Sequence, residues 1–108
     1  MTEDEMARLR NIIYLALFGE TGEALRFRLG LAETASERAL YKQMSPLAIE
    51  ALEEVARSLE FYEDAGLDYG GWRVVVSINS KDVSKRWNRK ASKAGVDLLT
   101  GGERRYKR

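Results

Sequence analysis

The hydrophobic and polar positions of this chain fall mostly into helical periods. The first long pattern runs from about Glu3 to Leu29. Within it, the run Ile12-Ile13-Tyr14-Leu15-Ala16-Leu17-Phe18 is apolar on every side, which implies burial all round. Gly19 and Gly22 weaken such a helix by about 1 kcal/mol each relative to alanine without necessarily ending it. Leu25-Arg26-Phe27-Arg28-Leu29 alternates as a half-buried strand would. Glu, Ala, Leu and Arg all propagate helix, so the helix is preferred up to Gly30.

A short, poorly determined helix is expected over Ser36–Met44. The clearest start signal follows: Ser45 at the N-cap, Pro46 at the first helical position, and a periodic run to Ala65 closed by Gly66. Ile49, Leu52, Ala56, Leu59 and Tyr62 form its apolar stripe. Asp68-Tyr69-Gly70-Gly71 reads as a loop. Residues 72–79 carry two signals at once. Propensity favours a short strand with Trp72, Val74, Val76 and Ile78 on one face. Helical spacing instead unites Trp72, Val75, Val76, Asn79, Val83 and Arg86, and no other segment offers a strand partner. Lys81–Ala94 reads as helix and Gly95–Arg108 as an irregular or frayed end. The expected fold is all-α, a compact bundle of about four helices, with the strand at 72–79 left open. One domain over residues 1–100 would carry a basic tail at 101–108.

Composition narrows the chemistry. A chain of 108 residues can bury roughly two-thirds of its unfolded surface in a single core. With no cysteine and no histidine, thiolate nucleophiles, Cys/His metal sites, Ser-His triads and disulfides are excluded. No apolar run approaches the ~20 residues of a membrane span, so no membrane partner and a cytoplasmic setting are expected. The net charge of +1 hides an asymmetry. Residues 1–80 hold 14 acids against 8 bases, whereas residues 81–108 hold 10 bases against 3 acids. Such a basic end usually meets an anion: nucleic acid, a nucleotide phosphate or the acidic body itself.

Two glutamate pairs stand out. Glu20 and Glu23 are three residues apart, in the helical sector of Ile12, Ala16 and Phe27, so they would interrupt an apolar surface. Glu50 and Glu53 repeat the spacing on the helix after Ser45. Four carboxylates on two packed helices would suit Mg²⁺ or Mn²⁺, which prefer oxygen ligands. Acidic helix faces are also common as solvated surface, and spacing does not separate the two readings.

The run Gly19-Glu20-Thr21-Gly22-Glu23-Ala24-Leu25 resembles the Gly-Glu-x-Gly-Glu-x-x motif of MazG-like proteins, in the all-α nucleoside triphosphate pyrophosphohydrolase superfamily. Glu50-Ala51-Leu52-Glu53 ahead of Ala65-Gly66-Leu67-Asp68 resembles the family's second motif, and Asn79 through Trp87 its third. Glu53 stands where the family has Asp, and Asp82 where it has Lys. The resemblance implies Mg²⁺-dependent cleavage of an NTP or dNTP to the monophosphate and pyrophosphate. Glu20, Glu23, Glu50 and Glu53 would then hold the metal and act in catalysis. Asn79, Lys85, Arg86 and Trp87 would bind the substrate. It also implies a homodimer or homotetramer, which the all-round apolar segment 12–18 independently suggests.

The competing reading is a small non-enzymatic nucleic-acid-binding protein. Lys81, Lys85, Arg89 and Lys93 advance in steps of four along one helix side, with Arg86 and Lys90 beside them. Arg104, Arg105, Lys107 and Arg108 extend the basic segment, and Trp87 and Tyr106 offer rings for stacking. A structural or regulatory interaction protein is the third possibility.

Overall fold

The computed structural model describes residues 1–103, so Arg104, Arg105, Tyr106, Lys107 and Arg108 lie outside the described residues. Five α-helices follow one another: α1 (Glu3–Phe18), α2 (Gly22–Arg28), α3 (Glu37–Lys42), α4 (Pro46–Glu60) and α5 (Tyr69–Ala94), with a 3-10 turn at Glu63–Ala65. No strand forms among the described residues; a single antiparallel bridge joins Val96 to Glu103. The all-α expectation therefore holds, and residues 72–79 are helical. Of their β-branched side chains Val76 is buried and Val75 half-buried, whereas Val74 and Ile78 are exposed. No helix among the described residues is long and apolar enough to cross a membrane.

Local chemistry sets most boundaries. Thr2 caps α1 in a capping box with Glu5, and Ser36, Ser45 and Asp68 each accept a backbone N–H at the start of α3, α4 and α5. The Asp68 cap draws Tyr69, Gly70 and Gly71 into the first turn of α5, where a loop is expected from composition.

The long first helix expected over Glu3–Leu29 is instead broken in two. Gly19 closes α1 in the left-handed region at φ 75°, and Thr21 starts α2 by accepting from the Ala24 N–H. Gly22 allows a close approach there: its N–H donates to Asn11 Oδ1 at 2.8 Å, and a Cβ would sit 3.0 Å from the Arg26 guanidinium and 3.3 Å from the Tyr14 ring.

The architecture is a three-helix body with a cap. α5 runs parallel to α1: Ser84 donates to the Ala16 carbonyl and Asn88 to that of Leu17, while Trp72 and Val76 lie beside Leu9 and Ile13. α4 runs antiparallel to α5, so Glu54 meets Trp87 and Leu59 lies near Trp72. Leu17, Ala51, Val55 and Val83 form one buried cluster. Tyr14, Leu25, Leu40, Met44, Ala48 and Leu99 form the second, where α2, α3 and the segment after α5 cover the end of the body.

The buried line of α4 is Ala48, Ala51 and Val55, and Ala56 is exposed, so the stripe is rotated from its expected position. Ala51 and Val55 pack with Leu17 of α1 and Val83 of α5, and Ala48 joins the cluster under the cap. Segment 12–18 is largely covered within one chain, with Tyr14 and Leu17 buried and only Leu15 exposed, so it does not by itself require a second copy.

Residues 96–103 do not fray. Leu98 and Leu99 are buried, the Ser45 N–H donates to the Leu99 carbonyl at 2.8 Å, and Ser45 Oγ donates to that of Leu98 at 2.6 Å. Ser80, fully buried on α5, has a hydroxyl with no hydrogen-bond partner among the described residues. An unsatisfied buried hydroxyl is costly and alanine is the better helix former, so Ser80→Ala is expected to raise unfolding free energy by about 1 kcal/mol. A urea midpoint at unchanged slope measures this; a lower midpoint would mean that the hydroxyl is satisfied.

Candidate functional site

The four carboxylates expected to share a metal are not brought together. Among the described residues, no three acidic side chains group in a way that could hold a metal ion. The break at Gly19–Thr21 leaves Glu20 between helices, where it accepts from the Arg28 guanidinium at 2.9 Å. Glu23, in the first turn of α2, is exposed on a shallow depression shared with Glu20 and Phe27. Phe27 is itself 87% exposed, so the apolar sector that these glutamates were expected to interrupt does not exist. Glu50 and Glu53 project from the exposed side of α4, and Glu53 lies 4.0 Å from Arg57. Within this chain the described carboxylates offer Mg²⁺ or Mn²⁺ no shared set of oxygens.

The proposed substrate residues are also partly committed. Asn79 donates its amide to the Val75 carbonyl at 2.7 Å on its own helix. Trp87 packs against the cluster around Val55 and Val83, and its indole N–H donates to Glu54. Arg86 reaches Glu54 at 3.1 Å and Asp82 at 3.3 Å.

An unexpected polar cluster lies at the covered end. Arg26, whose side chain is only 11% exposed, donates to the Ala35 carbonyl at 2.8 Å, to the Gly22 carbonyl at 3.0 Å and to Glu37 at 3.0 Å. Tyr14 donates its hydroxyl to Glu37, Tyr41 lies 3.2 Å from it, and Arg10 approaches Glu37 at 3.7 Å. Burial pushes the Glu37 carboxyl up, but hydrogen bonds from Tyr14 and Arg26 and the charges of Arg26 and Arg10 outweigh it and hold it below the ordinary value. Burial and the bond to Glu37 push the Tyr14 phenol far above its usual range, so it stays protonated. With its polar atoms turned onto one another, this cluster fastens the 29–36 loop and α3 to α1 and α2.

What stays open to a ligand is the outer side of α5. Lys81, Lys85, Arg89 and Lys93 are exposed, and none is in an ion pair among the described residues. By contrast Arg10, Arg26, Arg28, Arg57 and Arg86 all face carboxylates. Lys90 lies over the Trp87 ring, 4.7 Å from its centroid. The four open cations advance by about 6 Å per step and turn by about 40° per step, so they trace a gently wrapping row roughly 18 Å long. Comparison with protein-family models, curated proteins and solved structures gives no match to this chain.

Proposed function

We propose that the protein binds nucleic acid through the basic outer side of α5, contacting the phosphate backbone without catalysis. One observation carries this reading: the four open cations Lys81, Lys85, Arg89 and Lys93 lie in a row on a single 26-residue helix. A rigid row of fixed positive charge matches a phosphate backbone and gains affinity by releasing counterions. Phosphate contacts carry no base information, so recognition is sequence-blind. Arg86 and Lys90 contribute less, because Glu54 and Asp82 hold the first and the Trp87 ring carries the second. Trp87 does not stack on bases in this reading, since it is packed against α4. Arg104, Arg105, Lys107 and Arg108 belong to the same proposal by charge alone.

Nucleoside triphosphate hydrolysis has less support. It would need Glu20, Glu23, Glu50 and Glu53 grouped around a metal, and their placement supplies no such group among the described residues.

The test is a titration of a labelled DNA duplex by fluorescence anisotropy between 50 and 200 mM KCl. Each phosphate contact contributes about −0.9 to the slope of log K against log salt. Replacing Lys85 and Arg89 with Gln should therefore flatten the slope by about 1.8 and weaken binding roughly 30-fold at 0.15 M salt. Two duplexes of unrelated sequence should bind alike. An unchanged slope in the double variant would overturn the assignment. Metal-dependent pyrophosphate release abolished by Glu23→Gln would restore the hydrolase reading.

A further inference from the structure

The outer face of α5 changes character along its length. Its C-terminal half is basic, but its N-terminal half carries Val74 and Ile78, which are 58% and 63% exposed. Across from them on α1 stands Leu15, 49% exposed. These side chains border a groove between the two helices. A depression of about 460 Å³ lined by Ile12, Arg73, Val74, Ser77 and Ile78 adjoins another of about 270 Å³ lined by Ile12, Leu15, Ser77 and Lys81. Ile12 and Ser77 belong to both, so the two form one channel along α1 and α5.

The charge around this channel has one sign. Arg73 lines one part and Lys81 the other; Arg8 lies one turn before Ile12 on α1, and Lys85 one turn after Lys81 on α5. None of the four is in an ion pair among the described residues. The acids closest along α1 are Glu5, on whose carboxyl the Arg8 charge acts, and Asp4, one turn beyond Arg8; on α5 it is Asp82, which is held by Arg86.

We propose that this groove docks an acidic amphipathic helix of a partner protein. The partner's apolar stripe would cover Val74, Ile78 and Leu15, and its carboxylates would face Arg73 and Lys81. Nucleic acid would use the cations but leave the apolar side chains without a partner. A bilayer accepts protruding apolar side chains, whereas this surface is concave. A second copy would meet the groove with itself about a two-fold axis, setting Arg8, Arg73, Lys81 and Lys85 against their like. An acidic helix alone matches both the shape and the charge. This proposal stands apart from the nucleic-acid reading, because its apolar anchors lie outside the basic row.

The experiment titrates the full-length protein against a fluorescein-labelled 18-residue helical peptide with leucines at alternating spacings of three and four and glutamates elsewhere. Saturable binding at 150 mM salt is expected. Ile78→Gln and Lys81→Glu should each weaken it at least tenfold. A peptide with lysine in place of glutamate should not bind the native protein. Ile78 is mostly exposed, so the melting temperature of Ile78→Gln should match the native value, and its DNA salt slope should also be unchanged.

Equal binding by a scrambled peptide of the same composition, or no saturation at all, would overturn the proposal. So would a concentration-dependent dimer in sedimentation that Ile78→Gln abolishes, which would give the groove to a second copy. Adsorption to anionic phosphatidylserine vesicles that Ile78→Gln removes, without an effect on the peptide, would give it to a membrane.

Discussion

Arg26→Ala is expected to lower unfolding free energy by about 3 kcal/mol in urea titration, a loss of roughly two orders of magnitude in the folding equilibrium. The substitution removes three hydrogen bonds at once, taking from the Ala35 carbonyl its side-chain donor and leaving Glu37 with only Tyr14 and the more distant Arg10. It also takes the nearest cation from a carboxylate whose side chain is only 33% exposed. Breaking a fully buried pair costs more, and the partial exposure of Glu37 holds this estimate near the lower end of that range. Glu37→Gln should cost less, because the amide oxygen still accepts from Arg26 and the amide NH₂ can donate to the Tyr14 hydroxyl oxygen. A double-mutant cycle should then show coupling between the two positions. Single-variant losses that simply add, or an Arg26→Ala cost below about 1 kcal/mol, would mean that the cluster does not hold the cap.

The same cluster fixes a direction of pH dependence. Glu37 is held below the ordinary carboxylate value in the folded state, so the unfolded chain takes up its proton first as pH falls. Asp97 behaves alike: burial raises it, but bonds from Thr100 and the charge of Arg28 outweigh this and lower it from 3.8. Each contributes stability fully present above its unfolded pKa and lost as pH drops through its folded one. Unfolding free energy should therefore decline below about pH 4.5, and Glu37→Gln should flatten part of that decline.

The punctuation of this fold is legible in the sequence where a single side chain acts on its own backbone. Ser36, and Ser45 with Pro46, mark starts that the helices respect, whereas Gly66 closes only the 3-10 turn because α4 already ends at Glu60 rather than running to Ala65. The break after Phe18 is different. Nothing local forbids Gly19 and Gly22 within a helix; the chain turns because Asn11 captures the Gly22 N–H and Arg26 folds back over it. Those partners lie on different turns, and the pairing of Arg26 with Glu37 spans a loop. The preference for helix over alternation at 25–29 holds: Leu25 is buried and Phe27 is exposed because α2 lies against α1 on one side only. At 72–79 packing against α1 and α4 overrides β propensity, which is weak once a helix has a buried face.

The resemblance at Gly19–Leu25 has a structural counterpart. Gly19 supplies the left-handed cap, Gly22 the close approach to Tyr14 and Arg26, and Glu20 a partner for Arg28. Both glycines and the first glutamate thus have roles within the fold. The basic end of the chain is equally plain in the sequence, but which cations are free is not. Only the fold shows that Arg86 is held by Glu54, a residue from another helix, while Lys85 beside it is open.

The stretch after α5 gives the second large effect. Leu99→Ala is expected to cost about 3 kcal/mol, within the usual range for a buried leucine emptied to alanine. Leu99 is 1% exposed and packs with Tyr14, Leu25, Leu40, Met44 and Ala48, so its loss opens a cavity where α1, α2, α3 and α4 converge. Its backbone is tied as well: the Leu99 carbonyl accepts from Ser45, the residue that caps α4. Asp97 holds the turn by accepting from the Thr100 N–H at 2.9 Å and is itself held by Arg28 at 3.3 Å. Asp97→Asn keeps an acceptor and loses only a half-exposed ion pair, so it should cost well under 1 kcal/mol. Urea unfolding of the two variants separates a core residue from a surface tether. Hydrogen exchange should add that the Leu99→Ala chain loses protection at the start of α4 as well as near its own position. A Leu99→Ala chain within 0.5 kcal/mol of the native protein, or no more costly than Asp97→Asn, would mean that the segment frays as its glycine-rich sequence first suggests.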